Sequence, residues 1–146
     1  METRDPITCH VLDTTTGKPA ANMTAQLRCL AIPDVFFVAK TNIDGRITNW
    51  KNTQGSRGHE GAFVDSHNGV TSTLMFIIRE YAASTAKENC PAGSSLWKLE
   101  FNTGAYYGVD KVFFPLVELN FLVNEGQHFH VPLLLGPYSF TTYRGS

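Results

Sequence analysis

The chain has 146 residues, of which 42% are apolar and 17% charged, and carries a formal charge of −1. That length suits one domain with a real apolar core, and the composition is that of a globular chain rather than a disordered one. The near-neutral charge, without a clustered basic face, argues against nucleic acid or an anionic membrane surface as partner, and no apolar run approaches the roughly 20 residues that span a bilayer.

In chain order, Met1-Glu2-Thr3-Arg4-Asp5-Pro6 lacks the apolar stretch of a secretory signal. Ile7–Asp13 alternates as a strand, with Ile7, Cys9 and Val11 on one face and Thr8, His10 and Leu12 on the other. Thr14-Thr15-Thr16-Gly17-Lys18-Pro19 breaks it with turn formers. Thr24–Leu30 places Ala25, Leu27 and Cys29 on one side, the pattern of a strand buried on one face. Val35–Thr41 is a third strand, and the Asp44-Gly45 pair after it predicts a tight hairpin, with Ile47–Trp50 as the short returning strand.

From about Asn52 to Asn68 the glycines and polar residues read as a long loop holding His59 and His67. Val70, Leu74, Ile77, Ile78, Tyr81 and Ala82 then recur at helical spacing, with Ser72 as the expected N-cap. Strands resume with Leu96–Phe101, and Thr103–Gly108 is a short link with room for one helical turn. Phe113–Val123, His128–Leu135 and Tyr138–Tyr143 complete the pattern. Pro115 and Pro132 point to strand starts, edges or bulges, because proline cannot donate to a ladder. The sum is seven or eight short strands and one helix, an all-β sandwich.

Cys9, Cys29 and Cys90 are odd in number and widely spaced, so they are expected as free thiols in a reducing compartment rather than as disulfides or zinc ligands. A cytoplasmic setting is the expectation; the closing Tyr143-Arg144-Gly145-Ser146 is not a Ser-Lys-Leu tail, and the peroxisome stays open. His128 and His130 lie two apart, a spacing that puts both on one strand face. Without a supporting Cys or Asp spacing they do not make a zinc site, and His128 reads as a solvated or hydrogen-bonded structural histidine.

Four segments together carry a resemblance. Ile7-Thr8-Cys9-His10-Val11-Leu12-Asp13 with Gly17-Lys18-Pro19-Ala20, then Asn42-Ile43-Asp44-Gly45-Arg46, then His128-Phe129-His130-Val131-Pro132-Leu133-Leu134-Leu135-Gly136-Pro137-Tyr138, and finally Tyr143-Arg144-Gly145-Ser146 closely resemble the 5-hydroxyisourate hydrolases. The resemblance covers about two-thirds of the chain, with the segments in the family's order. It implies a transthyretin-like β-sandwich, hydrolysis of 5-hydroxyisourate, no metal or organic cofactor, and a homotetramer with active sites in a channel between dimers. The hormone carrier transthyretin, which shares the fold, has a different tail and lacks the two histidines and the arginine. The resemblance therefore implies the enzyme; a carrier of an aromatic small molecule, resting on the shared fold and on ten phenylalanines and five tyrosines, is the alternative reading. One departure is a longer stretch from about residue 52 to 94, inserted within the one expected domain and holding the helix.

The resemblance carries His10, Arg46, His130 and Ser146 over as catalytic residues, with Tyr143, Arg144 and Gly145 joining His10 and Arg46 in binding substrate. These residue types suit the reaction. Opening a ring amide with water needs a base for the water, a cation for the developing oxyanion, and an acid for the leaving nitrogen. Imidazole moves protons near neutral pH, and a guanidinium holds negative charge with a planar fork. On this reading His10 or His130 deprotonates water, Arg46 polarises the substrate and favours a neutral neighbouring imidazole, Tyr143 binds a ring heteroatom, and Arg144 and Ser146 complete a polar wall.

Overall fold

A computed structural model of the chain describes residues 4–54 and 70–146; the remaining stretch, with His59, His67 and most of the glycine-rich loop, lies outside the described residues. The strands are β1 (Ile7–Asp13), β2 (Lys18–Pro19), β3 (Thr24–Cys29), β4 (Phe36–Lys40), β5 (Arg46–Ile47), β6 (Asn52–Gln54), β7 (Ser94–Phe101), β8 (Val117–Asn124), β9 (Phe129–Leu135) and β10 (Phe140–Thr142). Helix α1 spans Thr71–Glu80, α2 is a short helix at Thr103–Tyr107, and a 3-10 turn follows at Val109–Lys111. No helix among the described residues is long and apolar enough to cross a membrane.

Among the described residues the strands form two five-stranded sheets: β10-β9-β1-β2, with β5 also paired to β1, and β6-β4-β3-β7-β8. Alternation builds the core between them. Ile7, Cys9, Val11, Leu133 and Leu135 face inward from the first sheet, and Leu27, Phe37, Trp97, Leu99 and Phe101 from the second, each at most 1% exposed. Burying a side chain of this size stabilises by about 1.5–3 kcal/mol, which is why register in these strands is strongly specified. Cys9 and Cys29 are buried free thiols, and burial lifts the Cys9 thiol to about 12.

The first sheet is organised by β1, which pairs in parallel with β9 along its whole length, from Ile7 opposite Phe129 to Asp13 opposite Leu135. Its end is clasped. The buried Asp13 carboxylate accepts hydrogen bonds from Tyr106 Oη (2.9 Å), Tyr107 Oη (2.8 Å) and Thr15 Oγ1 (2.6 Å). Burial works against its charge, but these donors outweigh it and hold the carboxyl below its ordinary value. At the other end the fully buried Asp5 accepts from the Trp50 backbone N–H and from the Thr71 hydroxyl, tying α1 to the chain entering β1.

Several expectations are corrected. The returning strand after Asp44-Gly45 does not fold back on β4; β5 crosses to the other sheet and pairs with β1, Ile47 opposite Cys9 and Arg46 opposite His10. β4 instead pairs with β3 and with β6, so Asn52–Gln54 is strand rather than loop. Ser72 does not cap α1: Val70 holds the N-cap position and no side chain caps it. Of the expected helical stripe, Leu74, Ile77 and Ile78 are buried within α1, while Val70 and Tyr81 stand at its caps and Ala82 lies beyond it. Residues 113–116 lie outside β8, and β10 is confined to Phe140–Thr142.

Pro132 is neither at an edge nor at a start, but inside β9 between β1 and β10. Register explains why it is tolerated. Thr142 lies opposite Leu133 and Gly145 opposite His130, which places Tyr143 opposite Pro132. The missing N–H therefore faces the break in pairing between β10 and the Gly145 bridge, and the Pro132 carbonyl takes the Thr142 hydroxyl at 2.8 Å.

Candidate active site

Arg144 falls opposite Val131 and packs over the buried Phe129, whereas His10, Arg46, His130, Tyr143 and Gly145 lie on the outer face of the first sheet, the face β1 presents away from the core. Two adjacent rows cross it. One runs Arg46, His10, Pro132 and Tyr143 on β5, β1, β9 and the tail; the next runs Thr8, His130 and Gly145. Four segments scattered through the chain thus meet because β1 is central and pairs with both β5 and β9.

The turn before β5 fixes Arg46. Asn42 Oδ1 accepts the backbone N–H of Asp44 (2.9 Å) and of Arg46 (3.0 Å), while Gly45 N–H donates to the Asn42 carbonyl at 2.9 Å. Gly45 has φ +75°, and a β-carbon there would stand 2.4 Å from the Val11 carbonyl oxygen. The Gly45 carbonyl in turn accepts Val11 N–H at 2.8 Å. The bare glycine lets the turn lie flat against β1, and Arg46 emerges exposed beside His10.

Three imidazoles line up. His10 and His130 have ring centroids 6.4 Å apart, and His130 and His128 stack at 6.5 Å with 15° between planes. Thr8 Oγ1 lies 2.8 Å from His130 Nδ1 and 3.2 Å from His128 Nε2. All three rings are held below the ordinary imidazole value, in each case chiefly by burial. For His10 the Arg46 charge adds to this, partly offset by a hydrogen bond to the Asp44 backbone and by the Asp44 charge. For His130 the charges of His10, Arg46, His128 and Arg4 add in that order. The surroundings therefore keep these rings neutral near pH 7, the form in which an imidazole accepts a proton.

The terminal segment is held rather than frayed. Gly145 N–H donates to the His130 carbonyl at 2.8 Å, an antiparallel bridge that brings the tail against the histidines. Of the four terminal residues it is Gly145 that meets His130. Arg144 lays its guanidinium over the Phe129 ring at 4.7 Å, and Tyr143 and Ser146 are exposed. A cavity of ≈ 370 Å³ opens here, lined by Phe121, Leu122, Phe129, His130, Tyr143 and Arg144. No group of three or more His, Cys, Asp or Glu side chains among the described residues is arranged to hold a metal ion.

Two residues of the cluster were not singled out by the sequence. Thr8 reads as a β-branched strand filler, yet it is 2% exposed and its hydroxyl joins two imidazoles. His128, expected as a solvated or hydrogen-bonded structural histidine, is half-buried, hydrogen-bonded to Thr8 and part of the cluster. The signal available was the two-residue spacing of the histidines; the hydroxyl became visible only through the register that sets Thr8 opposite His130.

The arrangement offers proton acceptors, a cation and an adjoining, largely apolar cavity, the components of amide hydrolysis. Comparison with known proteins agrees. The family model described as HIUase/Transthyretin family matches residues 7–145. The probable 5-hydroxyisourate hydrolase of Schizosaccharomyces pombe is 35% identical over 148 residues, spanning 96% of this chain and 90% of the relative. Among solved structures, the 5-hydroxyisourate hydrolase of Klebsiella pneumoniae superposes with a TM-score of 0.58 at 24% identity, covering 96% of this chain and 97% of that one. Sea bream transthyretin in complex with thyroxine superposes at 0.61 with 20% identity, covering 96% and 94%. The two superpositions establish the transthyretin-like sandwich, and the match along nearly the whole sequence establishes descent: this chain belongs to the HIUase/Transthyretin family.

Proposed function

We propose that the protein hydrolyses 5-hydroxyisourate, the bicyclic product of urate oxidation, to 2-oxo-4-hydroxy-4-carboxy-5-ureidoimidazoline. One observation carries the reading: His10, His130 and Arg46, from three distant segments, share one sheet face beside the terminal tail. A family relative named for this hydrolysis is 35% identical along nearly the whole chain.

In this mechanism a neutral imidazole, His10 or His130, takes a proton from water as its oxygen attacks the ring carbonyl. Arg46 holds the charge that develops on the carbonyl oxygen; a preorganised donor of this kind is worth about 100- to 1,000-fold in rate. The same imidazole, now protonated, gives its proton to the leaving ring nitrogen, so the cycle closes without a net change in the enzyme. Tyr143 and Arg144 border the adjoining cavity and bind the substrate's heteroatoms, and Ser146 supplies a hydroxyl at the open side of the site. A carrier of an apolar aromatic ligand is the weaker reading, because desolvating three imidazoles and a guanidinium without polar partners is costly.

We also propose the family's homotetramer. The outer face with Arg46 and Tyr143 is open in the single chain, and a second copy laid over it would exclude water from the reaction. Light scattering on the purified protein tests this directly.

The activity test uses freshly oxidised urate. Its ultraviolet hydroxyisourate absorption is expected to decay faster with the protein present. An unchanged decay together with tight binding of hydrophobic dyes would favour the carrier.

A further inference from the structure

The Thr8 hydroxyl stands between two imidazole nitrogens at 2.8 and 3.2 Å and is shut off from solvent. A hydroxyl carries one proton, so it donates to one ring and accepts from the other. Two arrangements of neutral rings satisfy it. In the first, His130 Nδ1–H donates to Oγ1 and Oγ1–H donates to His128 Nε2, leaving His130 Nε2 a bare acceptor. In the second every bond is reversed, and His130 Nε2 carries a proton.

We propose that Thr8 and His128 are positioning residues that act through His130, forming a relay arm that switches it between proton acceptor and proton donor during hydrolysis. The inference rests on the hydrolase reading, with His130 as the imidazole that receives the water proton. As water attacks, its O–H bond breaks and an N–H bond forms at His130 Nε2. The Nδ1 proton passes to Thr8 Oγ1, and the original Oγ1 proton passes to His128 Nε2. His130 is then neutral with Nε2–H facing the substrate, and the positive charge sits on His128. When Nε2 gives its proton to the leaving nitrogen, the same protons run back and all three groups are restored.

The surroundings favour this direction. With the other rings neutral, a positive charge left on His130 faces the guanidiniums of Arg46 and Arg4, whereas at His128 the charge that opposes it is Arg4. The two histidines also open on different spaces. His130 lines the cavity beside the tail, while His128 lines a second cavity of ≈ 370 Å³ with Arg4, Thr71, Met75 and Gln127. The arm thus moves charge from the reaction space toward another opening.

Three variants test it in the full-length protein: Thr8→Val keeps shape without the hydroxyl, Thr8→Ser restores it, and His128→Gln keeps a polar partner that cannot hold the proton. Thr8→Val and His128→Gln are expected to lower kcat about tenfold or more, with KM within about twofold and an altered acid limb of the pH profile, while Thr8→Ser stays near wild type. Wild-type kcat in Thr8→Val or in His128→Gln, or a Thr8→Ser enzyme as slow as Thr8→Val, overturns the proposal. Nitrogen-15 NMR of the imidazoles reads the arm without turnover. The His130 tautomer and titration should change in His128→Gln, and an unchanged His130 signal also overturns it. Should the wild-type protein fail to hydrolyse hydroxyisourate while His130 and His128 titrate together, the functional reading falls and the hydrogen-bonded arm stands.

Discussion

A methyl group on Gly145 would stand 2.8 Å from Cδ2 of His130 and 3.0 Å from Cγ of Pro132. The tail therefore needs a residue without a side chain where it bridges to β9, and the imidazole fills the space so left. Gly145→Ala would push the ring away from Thr8 and break the 2.8 Å bond at Nδ1. The expected outcome is a fall in kcat of about 10- to 100-fold with little change in melting temperature, since Gly145 lies outside the buried core between the sheets. Steady-state kinetics beside a thermal melt would decide it; a full-speed enzyme would show that the ring tolerates displacement.

Arg46 tests the electrostatics of the site. It is exposed, so Arg46→Ala should leave the fold within about 0.5 kcal/mol of wild type while the rate falls about 100-fold or more. Its charge adds to burial in depressing both His10 and His130, so its removal lets both rise. More of each ring is then protonated at a given pH, and the acid limb of kcat/KM moves to higher pH. Arg46→Lys keeps the charge but not the planar fork, and should keep the limb in place while losing part of the rate. A limb unmoved in Arg46→Ala would remove this account of its second role.

The same three imidazoles link stability to pH. With native values below the unfolded one, the unfolded chain binds more protons as pH drops through the ordinary histidine value near 6.5. Their contribution is therefore complete above that value and is lost progressively as pH falls toward the depressed native values. Asp13 behaves as a depressed carboxyl, so its contribution survives this window and is lost at lower pH, as pH falls through its native value. Two separated losses are expected in urea midpoints measured from pH 8 to 3. The upper one should shrink in a His128→Gln variant, and a midpoint flat between pH 8 and 5 would contradict it.

Much of this was legible in one dimension. Alternation gave β1 with both its ends, the faces of β3, and the buried stripe of α1. What period alone cannot carry is the choice of partner. β5 is two residues long, and the Asp44-Gly45 pair signals a turn without saying which strand receives the chain. That choice was made by Gly45 and Val11 exchanging a backbone bond and by Ile47 seating opposite Cys9. Pro132 misled for a related reason: the penalty for a missing donor depends on what faces it, and here it faces the gap opposite Tyr143. The Thr8 bridge spans 122 positions of sequence, so nothing local distinguishes its hydroxyl from any strand threonine.

The turn itself supplies the sharpest structural test, because it delivers Arg46 to its place opposite His10. Gly45 sits at φ +75° with the Val11 oxygen 2.4 Å from where a β-carbon would be. Left-handed backbone costs a non-glycine residue about 1–2 kcal/mol, and the clash is with backbone, which cannot rotate aside as a side chain would. Gly45→Ala must therefore lift the turn off β1, losing the Val11 N–H bond and the pairing of Arg46 with His10. A loss of about 3 kcal/mol in urea unfolding is expected, with activity falling at least as far as in Arg46→Ala. Asp44→Ala, one residue earlier and exposed, leaves the backbone free to make the same turn and should cost under about 1 kcal/mol. If the two substitutions proved equally mild, contact between the turn and β1 would not be what places the guanidinium.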